Sequence, residues 1–327
     1  MIRAGIDVAP LVLTRAGTAR YVEGLARALE RRGDVELTRL SWGGPAKLLA
    51  PVRDVAWYPF GLPVQARRLD VLHCTTFRAP LRARVPVIAT VHDVAIIRFP
   101  EYFTAWTRLY ARTFLRPVLR AADRVVAVSE LTKRDVVELA GVPEERVRVV
   151  PNAAEDVFSP DGAAAEGDYV LAVGTLEPRK NLPRLAEATR RLGVELRIVG
   201  ASGWGDVQVG GDGVRWLGRL SDEELASLYR GALCLAYPSL YEGFGIPVLE
   251  AMRCGTPVVT SAGSAMEEVA GPAAELVDPL DPASIADGIE RAISRRAELR
   301  PLGLARAQRY TWDAAAAATV DVYRELA

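Results

Sequence analysis

Residues able to do chemistry gather in one stretch of the 327-residue chain, from Tyr237 to Pro257. Two carboxylates, Glu242 and Glu250, stand there with Gly243-Phe244-Gly245-Ile246-Pro247 between them. The apolar run Ala232–Tyr237 that precedes them reads as a buried strand. Pro247 has a preset φ, and it lacks an N–H that the first helical turn would leave unpaired anyway. The stretch therefore predicts a strand, a glycine-bearing loop and a helix N-terminus. Gly243 and Gly245 let the backbone approach a ligand closely. Loop amides and the helix dipole together make a seat for an anion. Two acceptors flanking such a seat suit a ligand with both phosphate and several hydroxyls, as in a nucleotide sugar.

Other constellations also fall just after predicted strands. Arg179 and Lys180 close the run that begins Gly174-Thr175. Two cations at a loop-to-helix junction can neutralise a diphosphate and stabilise it as it leaves. Beside a helix N-terminus they are unfavourable unless an anion is present, so they predict one. The chain has only three lysines, Lys47, Lys133 and Lys180, which makes Lys180 more noticeable. His92, in Thr90-Val91-His92-Asp93, is one of two histidines. It can donate to a sugar hydroxyl or a carbonyl, or it can be a packed histidine bonded to Asp93. His73 reads as structural. Gly17, in the Ala16-Gly17-Thr18 loop, can turn amides toward a phosphate or an acceptor, although Gly-x-Gly-x-x-Gly is not formed. Along Phe103–Arg120, Trp106, Tyr110 and Phe114 make one ridge, and Arg108, Arg112, Arg116 and Arg120 make another. Such a run can lie on an anionic membrane. The reading preferred is that its aromatic side packs on a sheet while the arginines face water, with a kink at Pro117.

The elements that must hold these residues follow from length and periodicity. A chain of this length predicts two domains. Apolar runs alternate with amphipathic helical ones, first over Ile2–Val150 and again from Tyr169. This predicts an α/β protein: two doubly wound, Rossmann-like domains facing a central cleft, with ligand residues at the carboxyl ends of parallel strands. The segments are 1–153, a linker over 154–167, a second domain over 168–310 and a final helix over 311–327. Residues 1–152 carry 24 basic and 15 acidic side chains, an excess of +9, and the remainder carries −9. The first half is thus expected to meet something anionic. No run reaches the ~18 apolar residues of a membrane span, and the first residues lack a signal-peptide pattern. A cytoplasmic protein is expected, with peripheral contact at the inner membrane face left open. Cys74, Cys234 and Cys254 are scattered, which argues for a reducing compartment and against a zinc site. Asp-x-Asp, Walker and Gly-x-Ser-x-Gly patterns are missing, so the reaction is expected to need no metal and no cofactor.

Taken in order, these pieces resemble the retaining GT-B glycosyltransferases of family 4, also called group 1, along nearly the whole chain. The resemblance rests on Gly17–Tyr21, Thr90–Asp93, Val128–Glu130, Val150–Asn152, Gly174–Asn181, Glu268–Gly271 and Val277–Pro279. Its most specific piece is Glu242 to Glu250, an E-x7-E motif. It implies that Glu250 binds the donor ribose. Glu242, with the Gly243, Phe244, Gly245 and Ile246 backbone, would hold the transferred sugar. Arg179 and Lys180, with Thr175 in the same loop, would bind the diphosphate. His92 would meet the sugar's far side, and Gly17 the diphosphate or the acceptor. The 1–153 domain would then be the acceptor side, the 168–310 domain the donor side, and the final helix would cross back to the first. It also implies hexosyl transfer with retention by front-face attack, to a glycan or lipid-linked acceptor, without nucleic acid as partner. The Thr-Leu-Glu-Pro-Arg-Lys-Asn form is similar to bacterial mannosyltransferases that build surface polysaccharides, which points to GDP-mannose as donor. Two departures stand out. Thr175 occupies a position where many members have arginine, and Asn152-Ala153 replaces a common Asn-Gly. A GT-B epimerase, a phosphorylase or a non-catalytic sugar-nucleotide-binding partner are the alternatives.

Overall fold

Short β-branched and aliphatic runs build two six-stranded sheets, all of whose strand pairs are parallel. The computed structural model describes residues 1–13, 17–44, 49, 52–203 and 209–327, so Ala16 and Lys47 lie outside the described residues. The chain divides into two units, Met1–Ala153 with Thr311–Ala327, and Ala154–Tyr310.

The first sheet comprises β1 (Ile2–Asp7), β2 (Val35–Leu40), β3 (Val71–Cys74), β4 (Val87–Val91), β5 (Arg124–Ala127) and β6 (Val147–Val149), in the order β2-β1-β3-β4-β5-β6. Successive connections leave β1 on opposite sides, so the strand order reverses between β1 and β3. Ligands of open α/β sheets bind at the carboxyl ends of the strands beside such a reversal. The amphipathic helix Gly17–Glu30 buries Tyr21, Val22, Leu25 and Leu29 against this sheet. The final helix, Trp312–Arg324, adds Ala315, Ala316, Val320 and Tyr323 to the same core. Gly24 allows the two helices to meet, because a Cβ there would lie 2.2 Å from the Trp312 ring. His73 is fully buried on β3. Its Nε2 lies 2.8 Å from Thr90 Oγ1 and its Nδ1 2.8 Å from Tyr323 OH, as a packed histidine should be.

A helical turn at Pro10–Leu13 follows β1. The segment before β3 is helical over Arg53–Gly61 and Leu62–Ala66. Burial of Trp57, Tyr58, Leu62 and Ala66 overrides the cost of Pro59 and Pro63. One local reading is corrected here: the aromatic ridge beyond Phe103 does not pack on the sheet as a whole. Tyr110 is buried, but Trp106 and Phe114 are 37% and 41% exposed. A wide-turned segment, Ala111–Leu115, shifts the helical phase between Ala105–Tyr110 and Arg116–Ala121. The buried face becomes Tyr110, Ala111, Leu115, Val118 and Leu119.

The second sheet holds β7 (Tyr169–Val173), β8 (Glu195–Val199), β9 (Val214–Gly218), β10 (Cys234–Tyr237), β11 (Val258–Ser261) and β12 (Ala274–Val277), ordered β12-β11-β10-β7-β8-β9. Its reversal point lies between β7 and β10. The loops leaving these two strands are the ones that carry Arg179, Lys180 and Glu242. Residues 154–167, read as a linker, have no regular structure but are anchored to this unit. Phe158 is buried against the Tyr229 ring, and Arg253 donates to the Phe158 carbonyl at 3.0 Å. Among the described residues, no helix is long and apolar enough to cross a membrane.

Candidate functional site

In the second unit, two loops are stapled together across the reversal point. After β7 the chain passes Gly174 and Thr175 and makes a tight turn, Pro178–Lys180, ahead of the helix Leu182–Leu192. Asn181 ends that turn at φ 58, ψ 28, the only described non-glycine residue with positive φ. It holds this left-handed conformation because its side-chain amide donates to the Pro238 carbonyl at 3.0 Å and to the Pro279 carbonyl at 2.5 Å. The Leu240 amide donates to the Arg179 carbonyl at 2.8 Å. Asn181 thus fixes where Arg179 and Lys180 stand relative to the loop after β10.

That fixed register brings the charges together. Lys180 Nζ lies 2.6 Å from Glu242 Oε1 and 2.6 Å from the Tyr237 hydroxyl. Arg179 Nη1 lies 3.1 Å from Glu242 Oε2, and its Nη2 lies 2.9 Å from Glu177 Oε1. Tyr237 OH also donates to Glu242 Oε1 at 3.1 Å. Burial alone would push the Glu242 carboxyl up, but Arg179 and Lys180 outweigh it and hold the group at about 2. Burial would likewise lower Lys180, and Glu242 instead raises it. All three groups are therefore charged. An anion from the protein itself, Glu242, thus stands against both cations. Glu177 and Tyr237 were missed by sequence reasoning. Glu177 lay within the cationic run and could have been found as its only carboxylate.

The remaining residues of this unit fall around the cluster. Gly174 passes beneath the lysine, since a Cβ there would meet Lys180 Cε at 3.0 Å. Glu242 leads through Gly243 and Phe244 to Gly245, which has φ 100, ψ 54 and opens the helix Ile246–Arg253. Only glycine is comfortable with that backbone, and a Cβ would also strike Met266 Cγ at 2.7 Å. The Phe244 ring turns inward onto Tyr310, leaving only its backbone for a ligand. Ile246 is half-buried. Glu250 is buried in the helix and accepts from the Tyr229 hydroxyl at 2.9 Å.

The first unit supplies His92 and Gly17. Gly17 is exposed and begins its helix. His92 follows β4, and its Nε2 lies 2.9 Å from the Thr75 carbonyl. A carbonyl can only accept, so Nε2 carries the proton. Burial pushes the imidazole down despite Thr75 and Asp93, and the ring is neutral. His92 is thus a donor to a backbone carbonyl, one of the two roles its position allowed. A cavity of about 240 Å³ lies beside it, lined among others by Thr18, Tyr58, Thr76, Arg78, His92 and Asp93. It sits at the reversal between β1 and β3, as the topology requires.

Behind that cavity lies a residue the sequence did not signal. Asp7 ends β1, is fully buried, and accepts from the Ala9 amide at 3.1 Å and the Tyr58 hydroxyl at 3.3 Å. Burial pushes its carboxyl up to about 7, against the pull of those bonds and of Arg53 and Arg78. A carboxyl raised in the folded state stabilises below its unfolded value and loses that contribution as pH rises toward 7. His73, pushed by burial to about 3, has the opposite sign, because stability falls as pH drops below its unfolded value. Replacing Asp7 with Asn removes the first effect alone. The variant's stability is expected to rise more steeply than wild type between pH 4 and 7, by about 1.4 kcal/mol per pH unit. Urea unfolding across that range checks this, and parallel curves for the two proteins would contradict it.

The match to known proteins settles the family. The glycosyl transferases group 1 model matches residues 155–303, and the glycosyltransferase family 4 model matches residues 15–156. O-antigen chain mannosyltransferase B of Escherichia coli is 32% identical over 284 residues, covering 78% of this chain and 74% of that protein. The chain belongs to glycosyltransferase family 4. The MMP alpha-(1->4)-mannosyltransferase of Mycolicibacterium hassiacum is also 32% identical, over 73% of this chain and 65% of its own length. The structure of HepE from Anabaena with UDP-glucose superposes with a TM-score of 0.77 at 19% identity, covering all of both chains. The glycosyltransferase thus has the two-domain GT-B fold.

Proposed function

We propose that this glycosyltransferase moves a hexose, mannose as first choice, from a nucleotide-diphosphate sugar to a glycan or lipid-linked acceptor in surface-polysaccharide synthesis, with retention and without a metal. The observation that carries the reading is the contact of Glu242 with both Arg179 and Lys180 at the reversal point of the second sheet. In the proposed mechanism the diphosphate displaces Glu242 from the two cations. Glu242 is then released to accept from hydroxyls of the sugar, and Glu250 from the ribose. Arg179 and Lys180 meet the charge that develops as the sugar C1–oxygen bond breaks, the role a metal would otherwise take. The acceptor oxygen forms the new bond to C1 on the same face, and its proton passes to the departing phosphate oxygen. His92 Nδ1 accepts from a hydroxyl at the sugar's far side. Mannose is favoured by the names of the two 32%-identical relatives.

The test is incubation of GDP-mannose, UDP-glucose and dTDP sugars, each with a panel of glycan and lipid-linked acceptors in the presence of a chelator, with products read by proton NMR. The reading expects an α-linked product from an α-linked donor. Inverted product, loss of activity to the chelator, or conversion of the sugar without acceptor would each refute the corresponding part.

A further inference from the structure

Within the first unit, a chain of buried polar groups runs from the final helix to the end of β4, and the mechanism above does not use it. Tyr323 OH lies 2.8 Å from His73 Nδ1, and His73 Nε2 lies 2.8 Å from Thr90 Oγ1. Thr90 Oγ1 is in turn 3.1 Å from the Tyr21 hydroxyl. All four side chains are fully buried, so no solvent replaces a partner that is lost. Burial pushes the His73 imidazole to about 3, and the ring is neutral. A neutral imidazole offers one donor and one acceptor, so this ring links Tyr323 on one side to Thr90 on the other. Satisfied buried networks of this kind fix one arrangement of the groups they join.

Attachment of the final helix does not require such a chain. The helix already buries Ala315, Ala316 and Val320, and Arg124 and Arg148 both bind Glu325 just beyond its end. The chain leads instead to the site. Thr90 stands two residues before His92. The Tyr21 ring meets the His92 ring at 4.7 Å between centroids and 80° between planes. Trp312, at the start of the final helix, packs on Tyr21 as well, at 6.3 Å between centroids. The bond from His92 Nε2 to the Thr75 carbonyl fixes one ring atom only. It leaves the imidazole able to tilt about that contact, and the nearly perpendicular Tyr21 ring blocks the tilt.

We propose that Tyr323 and Thr90 are positioning residues for His92: through His73 and Tyr21 they hold the imidazole in the orientation that leaves Nδ1 for the sugar. The final helix is thereby part of the site's geometry as well as of the core. The effect on rate rests on the proposed contact of His92 with the sugar, whereas the state of the ring itself is read without substrate.

Tyr323→Phe and Thr90→Val each remove one hydroxyl and keep the side chain's shape, and Thr90→Ser keeps the hydroxyl. The chain has two histidines, so ring-nitrogen NMR spectra of histidine-labelled enzyme show two imidazoles, and His92→Gln assigns them. Wild type should show His92 as a single tautomer with Nε2 protonated. Tyr323→Phe and Thr90→Val should move the His92 signals toward a mixture of tautomers, and Thr90→Ser should leave them as in wild type. In sugar transfer the two hydroxyl-free variants should lower kcat by on the order of ten-fold, within the ~10²-fold that a misplacement of about 1 Å costs, with nucleoside-diphosphate affinity unchanged. In a His92→Gln background they should cost nothing more, because the group they position is gone. Thermal unfolding checks that each variant is folded, and Thr90→Val keeps the test open if Tyr323→Phe is not. Unchanged His92 signals in the folded variants would overturn the proposal. So would an equal loss of rate with and without His92, the result expected of a chain that only fastens the helix. A wild-type rate in His92→Gln would instead remove His92 from the proposed function, and the spectra would then decide the positioning by themselves.

Discussion

Lys180→Ala is expected to lower kcat for sugar transfer by about 10²–10³-fold, the usual cost of removing one electrostatic stabiliser of a leaving group. Lys180 is one of two cations at the site, and the one whose ammonium is most enclosed, at 10% side-chain exposure. Enclosure raises its value, because its field is less screened by water. The fold should survive the change. Glu242 keeps Arg179 at 3.1 Å and the Tyr237 hydroxyl at 3.1 Å. Far-UV circular dichroism and thermal unfolding verify this, and initial rates at saturating donor give kcat. A variant that turns over at the wild-type rate would remove Lys180 from the mechanism. Glu242→Gln makes the complementary case. It removes the charge that occupies both cations, so transfer should fall while affinity for a nucleoside diphosphate is kept or gained.

Gly200→Ala is expected to be among the most damaging single-methyl changes in the second unit. Gly200 follows β8, and a Cβ there would lie 1.8 Å from the Gly174 carbonyl oxygen and 3.2 Å from the Thr175 nitrogen. Both obstacles are backbone, so no side chain can turn aside. Its φ is an ordinary one for an L-residue, so the effect is spatial rather than conformational. The loop after β7 must retreat, and Gly174 supports the Lys180 stem. A stability loss of about 1–3 kcal/mol is expected from the overpacking, together with weakened donor binding. Gly210→Ala serves as the control, since a Cβ there meets nothing within 4 Å. Urea unfolding of the two variants measures the difference. Equal midpoints would show that the close approach of these loops does not matter.

The fold was legible because buried parallel strands write themselves as β-branched runs, and helices between them show their period. Where prolines interrupt the period, at Pro59 and Pro63, the helix is not legible, since only the tertiary burial of Trp57 and Leu62 reveals it. The aromatic ridge failed for another reason. Spacing shows that Trp106, Tyr110 and Phe114 follow one another, but not which side faces the core once a wide turn shifts the phase. At the site, Arg179, Lys180 and the E-x7-E motif were legible from residue type and from their position after strands. Their mutual pairing was not, because Glu242 lies more than sixty positions from Lys180 and only the reversal between β7 and β10 brings the loops together. Asp7 was invisible because a lone carboxylate has no spacing. The rule that ligand residues follow strands pointed at its position, and only the structure shows the burial that makes it unusual.

The central claim is that the Arg179–Lys180 pair is a diphosphate seat temporarily held by Glu242. Isothermal titration of GDP, UDP and dTDP, with a chelator present, into wild type, Lys180→Ala and Glu242→Gln tests it most directly. The account predicts that at least one nucleoside diphosphate binds wild type. It predicts weaker binding to Lys180→Ala by about ten-fold or more, as loss of a charge-assisted contact implies, and undiminished binding to Glu242→Gln. Equal affinity of wild type and Lys180→Ala for every nucleotide that binds, or loss of binding in Glu242→Gln alone, would contradict it.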